Sequence, residues 1–242
     1  LKRFKSLYAL GCSFVEGTCM DEREEVKIPN IDEYKLKYRF SKLLSDKLEL
    51  KEINNSVGGF SNHRIYRTAY DWIINQPPQT IKETLFIIGI TAIDRTDLQL
   101  HDGVFRLGGN PCGLDAFNDT IEEVNKVTMS RGLDADDFFD YWDKWFKYIY
   151  NEDIRVEETI RDYHLLQTLI KSLGGDIIFL NTFEKGVHFD SRLQGFKPRG
   201  KLNSWREFIH AYDSGYRGEH PSIKDHSILS EELYTYIIKN YE

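Results

Sequence analysis

Apolar residues along this chain alternate between two patterns. Short unbroken runs, bounded by glycine or polar residues, read as strands buried on both faces: residues 6–12, 52–57, 84–90 and 176–182. Between the runs, apolar positions recur every three or four residues, which predicts amphipathic helices. One covers 34–48, with Leu36, Phe40, Leu43, Leu44 and Leu48 on a face. Others cover 61–74, 156–173 and about 226–238. The third puts Val156, Ile160, Tyr163, Leu166, Leu169, Ile170 and Leu173 on one side, and Gly174-Gly175 ends it before the next strand. Strand–helix alternation of this kind predicts an α/β domain with a mostly parallel sheet.

One segment breaks the rhythm. Residues 96–150 are too long for a simple crossover and hold the loop LGGNPCG (107–113) and the aromatic stretch DDFFDYWDKWFKYIY (136–150). Phe138, Trp142, Trp145 and Ile149 fall at helical spacing. The segment reads as a helical insertion packed on the core, with a lid over a site as the alternative. At 242 residues, with no repeat or low-complexity linker, one domain over 1–242 carrying this insertion is the simplest organisation.

Composition narrows the function classes. A net charge of −7 argues against a nucleic-acid backbone as partner, and favours a neutral or mildly acidic one. There is no stretch of about 18 apolar residues to span a membrane. No signal-peptide pattern is seen at the start, so a cytoplasmic location is expected. Cys12, Cys19 and Cys112 fit no zinc-site spacing and read as free thiols in a reducing compartment. The seven histidines are scattered, and His220 and His226 form only a weak metal pattern, so neither metal nor cofactor is expected. Capping or packing the last helix is the simpler role for His226.

In an open parallel sheet, ligands bind beyond the carboxyl ends of the strands, so the residues after each run are the ones to read. Gly11-Cys12-Ser13-Phe14 follows the first, NNSVGGFSNHRI (54–65) the second and GITAIDR (89–95) the third, while GEHPSIKDH (218–226) precedes the last helix. Ser13 offers a hydroxyl at a helix start, and Gly58-Gly59 offers backbone N–H groups free of side chains. Asn62 and Thr91 offer polar groups, and His220 offers a base stiffened by Pro221. Nucleophile, base and oxyanion donors are the parts of acyl transfer. Taken singly, Ser13 is as well explained as a helix cap and Gly58-Gly59 as a tight turn. Neighbours at a strand end point in opposite directions, so only one of Cys12 and Ser13 can face a site.

The order of these blocks resembles the SGNH (GDSL-type) hydrolases over almost the whole chain. GCSF looks like the family's first block, with Cys12 where Asp is usual. NNSVGGFSN is similar to the second, and Gly59 matches its oxyanion glycine. GIT stands in place of the third block's Gly-x-Asn, which puts Thr91 where the Asn would be. HPSIKDHSILSEEL looks like the last, with His220 as the catalytic histidine. The family has an Asp three residues before that histidine; Arg217 stands there, leaving Glu219 and Asp213 as the nearby carboxylates to orient the ring.

The resemblance implies a three-layer α/β/α sandwich with a flavodoxin-like sheet of about five strands. It implies an esterase or O-deacetylase acting on a small acyl ester, such as an acetyl group on a carbohydrate. Ser13 and His220 would be catalytic, with oxyanion donors among Ser13, Gly59, Thr91 and Asn62. Asn62 could equally fix its own loop. The pattern is also similar to SGNH-like proteins of bacteriophages, which adds a virion-associated location and a rival reading, a non-catalytic binding or structural protein. His63, Arg64 and the aromatic insertion are candidate platforms for a polar substrate.

Overall fold

The computed structural model describes residues 2–18, 31–100, 103–107, 135–182, 192–197, 204–207 and 220–241; the side chains of 31–32, 98–100, 103–107, 135–139 and 142 are not described. Five strands form one parallel sheet in the order β2-β1-β3-β6-β7. They are β1 (Ser6–Leu10), β2 (Lys51–Asn54), β3 (Thr84–Ile90), β6 (Asp176–Asn181) and the short β7 (Gly195–Phe196). β4 (Thr96–Leu100) and β5 (Gly103–Leu107) pair separately as an antiparallel hairpin.

The side-chain alternation of the central strands sorts the core into two layers. Leu7 and Ala9 of β1, Leu85 and Ile87 of β3, and Ile178 and Leu180 of β6 face one side. There they meet Phe14 and Val15 of α1 (Ser13–Glu16), Phe40 and Leu44 of α3 (Phe40–Lys47), and Leu229, Leu233 and Ile237 of α8 (Ile223–Tyr241). Tyr8, Leu10, Phe86, Ile88, Ile177 and Phe179 face the other side. They pack on Ile65, Ala69 and Ile73 of α4 (Asn62–Ile74), Ile81 of α5 (Pro78–Lys82), and Ile160, Tyr163, Leu166 and Ile170 of α7 (Glu152–Ser172). The molecule is an α/β/α sandwich. All seven residues of β3 are buried, as a strand covered on both faces requires.

The helix read over 34–48 is two helices, α2 (Ile31–Tyr38) and α3, broken at Arg39, whose backbone is extended (φ −63°, ψ 146°). Two long-range contacts hold the break. The Arg39 guanidinium grips Glu52 of β2 with two bonds of 2.8 Å. The Phe40 N–H, an unpaired donor at the start of α3, is accepted by His226 Nδ1 of α8 at 3.2 Å.

The insertion at 96–150 is not purely helical. It opens with the β4–β5 hairpin, in which Thr96 pairs with Leu107 and Leu100 with Gly103. α6 (Ala135–Tyr148) follows, and most of LGGNPCG lies outside the described residues. Tyr141, Tyr148 and Ile149 are exposed. Trp145 meets Phe146 edge-on at 5.1 Å and Tyr150 at a tilt at 5.7 Å, with Arg155 5.5 Å from its ring. Burial and the Asp94 and Glu152 carboxylates push the Tyr150 hydroxyl up to about 12.

Among the described residues, no helix is long and apolar enough to cross a membrane.

Candidate active site

The sheet order reverses direction between β1 and β3, since β2 lies on one side of β1 and β3, β6 and β7 extend on the other. A crevice at the carboxyl ends of those two strands is where such a fold binds ligands. Ser13 is the first residue of α1, three beyond the end of β1, and is buried. Its Oγ lies 3.1 Å from Nε2 of His220, which directly precedes Pro221 and α8. A hydroxyl and an imidazole 207 positions apart in sequence are thus in hydrogen-bond contact.

Local features of the sequence hold each partner. α1 approaches the sheet closely, and Val15 lies over Gly11 and Gly89, adjacent glycines at the ends of β1 and β3. A Cβ on Gly11 would lie 3.3 Å from the Gly89 Cα, and a Cβ on either residue would run into Val15 Cγ2. Both glycines are therefore needed for close approach, which seats Ser13 on the sheet edge. Cys12 points the other way, fully buried in the core, with Sγ 3.8 Å from Thr182 Oγ1.

His220 is held by its sequence neighbours. Ser222 N–H donates to Asp225 Oδ2 (2.8 Å), and Asp225 N–H donates to Ser222 Oγ (3.2 Å). This reciprocal pair is a capping box at the start of α8, two residues from His220 across the rigid Pro221. The imidazole also packs on the ring of Phe14, 5.6 Å between centroids. Phe14 in turn meets Trp205 edge-on (5.8 Å), and Trp205 meets Phe40 and His226. Phe14 and Trp205 were not among the residues the sequence singled out. Nothing local marks them, because their role comes from packing between distant segments.

The glycine pair forms a turn beside Ser13. Phe60 N–H donates to Val57 C=O (3.3 Å), and Gly59 takes a left-handed φ of 77°, which the third position of such a turn needs. A Cβ on Gly58 would lie 3.7 Å from Ser13 Cβ.

The Asn62 side chain reaches to the loop after β3 rather than to its own. Its Oδ1 accepts the Thr91 N–H (2.9 Å) and its Nδ2 donates to Thr91 C=O (3.0 Å). Tyr163 donates to the same Oδ1 at 3.1 Å. The amide thus braces the loop after β3. The Thr91 hydroxyl is fully buried and has no partner among the described residues.

Glu219, Asp213 and Arg217 lie outside the described residues. His63 is exposed, 3.9 Å from Asp162, at a cleft of about 310 Å³ between α4 and α7. Arg64 lies 5.7 Å from the Phe60 ring. No group of three or more His, Cys, Asp or Glu among the described residues is placed to hold a metal ion.

No family model matches the sequence, and no curated protein matches it. Solved structures resemble it at low identity. A carbohydrate esterase, whose active site displays divergent catalytic and non-catalytic binding functions, superposes with a TM-score of 0.50 and 12% identity. That match covers 98% of this chain and 65% of the other. A member of the lipolytic G-D-S-L family from Veillonella parvula gives 0.43 at 9% identity, with 98% of each chain covered. The psychrotrophic esterase EstA from Pseudoalteromonas gives 0.44 at 11%, covering 97% and 98%. The fold is the one the carbohydrate esterase has.

Proposed function

We propose that the protein is a serine acyl hydrolase, and the observation that carries the reading is the 3.1 Å contact between Ser13 Oγ and His220 Nε2. His220 Nε2 accepts the hydroxyl proton as Ser13 Oγ bonds to the ester carbonyl carbon. The carbonyl electron pair moves onto oxygen, and the oxyanion is met by the backbone N–H groups of Ser13 and Gly59. Collapse expels the alkoxide, which takes the proton from His220, and leaves the acyl group on Ser13. Water then attacks the acyl carbon, gives its proton to His220 and releases the acid, and Ser13 recovers its proton. A small acyl ester, such as an acetyl group on a carbohydrate, is the substrate class we assign.

Hydrolysis of p-nitrophenyl acetate tests this. The expected result is turnover that Ser13→Ala abolishes and His220→Ala lowers by about 10³-fold or more. One observation favours a second reading, a binding protein that keeps the fold without the chemistry. The buried Thr91 hydroxyl and the engaged Asn62 amide leave neither side chain open to an oxyanion. A wild-type rate equal to that of Ser13→Ala would favour that reading.

A further inference from the structure

We infer that Glu16 is a positioning residue that fixes the glycine turn against the nucleophile, an inference that rests on the acyl-hydrolase reading. Glu16 is the last residue of α1, the helix that Ser13 begins. Its Oε2 accepts the Gly58 N–H at 2.6 Å and the Thr18 hydroxyl at 2.7 Å. Its Oε1 faces Lys35 Nζ of α2 at 3.5 Å.

The turn needs such an anchor. β2 ends at Asn54 and α4 begins at Asn62. The strand ladder reaches only partway into the gap, through Asn55 N–H to Ala9 C=O (3.1 Å) and Val57 N–H to Gly11 C=O (3.3 Å). Past Val57 come two glycines, the residues with most backbone freedom to lose. Their amides serve an oxyanion only if they are already aimed, since preorganised donors stabilise charge without reorganising during the reaction.

Glu16 supplies the aim from the helix that carries the nucleophile. A Cβ on Gly58 would lie 3.3 Å from Glu16 Oε2 and 3.7 Å from Ser13 Cβ, so the turn sits against both. The bond to a carboxylate is charge-assisted, stronger than one between neutral groups. With the Gly58 N–H taken by Glu16, the donor left to the oxyanion from this turn is the Gly59 N–H. Lys35 orients the carboxylate from its other oxygen, linking α2 to the same point.

The test uses Glu16→Ala, Glu16→Asp and Glu16→Gln in the full chain. Turnover of p-nitrophenyl acetate is measured per serine titrated with a fluorophosphonate, which removes any loss from misfolded protein. Misplacing a donor by about 1 Å can cost about 10²-fold. The expected result is a fall in kcat of at least about tenfold in Glu16→Ala and Glu16→Asp, with KM within about threefold of wild type. Glu16→Gln keeps an oxygen to accept the Gly58 N–H and should hold kcat within about fivefold. If Glu16→Ala does not fold, Glu16→Asp against Glu16→Gln decides. Wild-type kcat in Glu16→Asp, or equal losses in Glu16→Asp and Glu16→Gln, would overturn the inference while leaving the hydrolase reading intact. A wild type no faster than Ser13→Ala would overturn both.

Discussion

His226 Nδ1 accepts the N–H of Phe40, so a side chain of the last helix caps a helix begun 186 residues earlier. The ring lies parallel to Phe40 (7° between planes) and is fully buried. Burial, with the nearby Arg39 charge adding to it, pushes its pKa down to about 3. An unfolded chain takes up this proton near pH 6.5, and the folded one does so only near 3. Stability is therefore complete above about pH 6.5 and is lost as pH falls toward 3. At pH 5 the loss from this group is about 2 kcal/mol. His226→Asn keeps an acceptor for Phe40 without the titration. Urea midpoints measured from pH 7 to 5 should fall less in the variant than in the wild type.

Gly89 is predicted to tolerate no side chain while Val15 is present. A Cβ there would meet Val15 Cγ2, with Thr182 Cγ2 3.2 Å away on the other side. Gly89→Ala should cost about 1–3 kcal/mol. Combining it with Val15→Ala should cost less than the sum of the single changes, because the second substitution removes the clash. Denaturant unfolding of the four proteins measures the coupling.

Asn62 should behave as a brace. Asn62→Ala leaves the Thr91 N–H and C=O without the amide, at about 1–3 kcal/mol for each group stranded. Tyr163→Phe removes a third bond to the same amide and should show a smaller loss. Unfolding free energies test both. Unchanged stability in Asn62→Ala, with turnover lost, would assign the amide to the chemistry instead.

Asp225 should link helix capping to turnover. Asp225→Ala removes half of the capping box and should cost about 0.5–2 kcal/mol. Because His220 hangs two residues from Ser222, kcat should fall with it while KM changes little. Steady-state kinetics at a temperature well below the melting point separates the two effects.

The main architecture could be read from the chain because strand and helix leave different periods. The buried run 84–90 matches β3, and the 156–173 face matches the buried side of α7, which starts four residues earlier behind an Asn151 cap. Ser13 stood out by its place after the first strand and His220 by its place ahead of the last helix, and the two are in contact. Three features were not legible, and each depends on a distant partner. Apolar spacing continues smoothly through Arg39, so nothing local announces a break that Glu52 and His226 create. Asn62 offers the same amide to a ligand or to a loop, and only the position of Thr91 decides between them. Glu16 carries no motif at all; its meaning lies in the Gly58 N–H across the crevice. The 96–107 hairpin did leave a local trace in the alternation of Asp97, Leu98, Gln99 and Leu100.

The wide separation of Ser13 and His220 also bears on biosynthesis. The hydroxyl leaves the ribosome first, and its imidazole partner follows more than 200 positions later. Chains grow at about 5–20 residues per second, so a nascent polypeptide carries the serine for roughly ten seconds or longer before the two can join. Fragments released early in translation would lack this pair altogether.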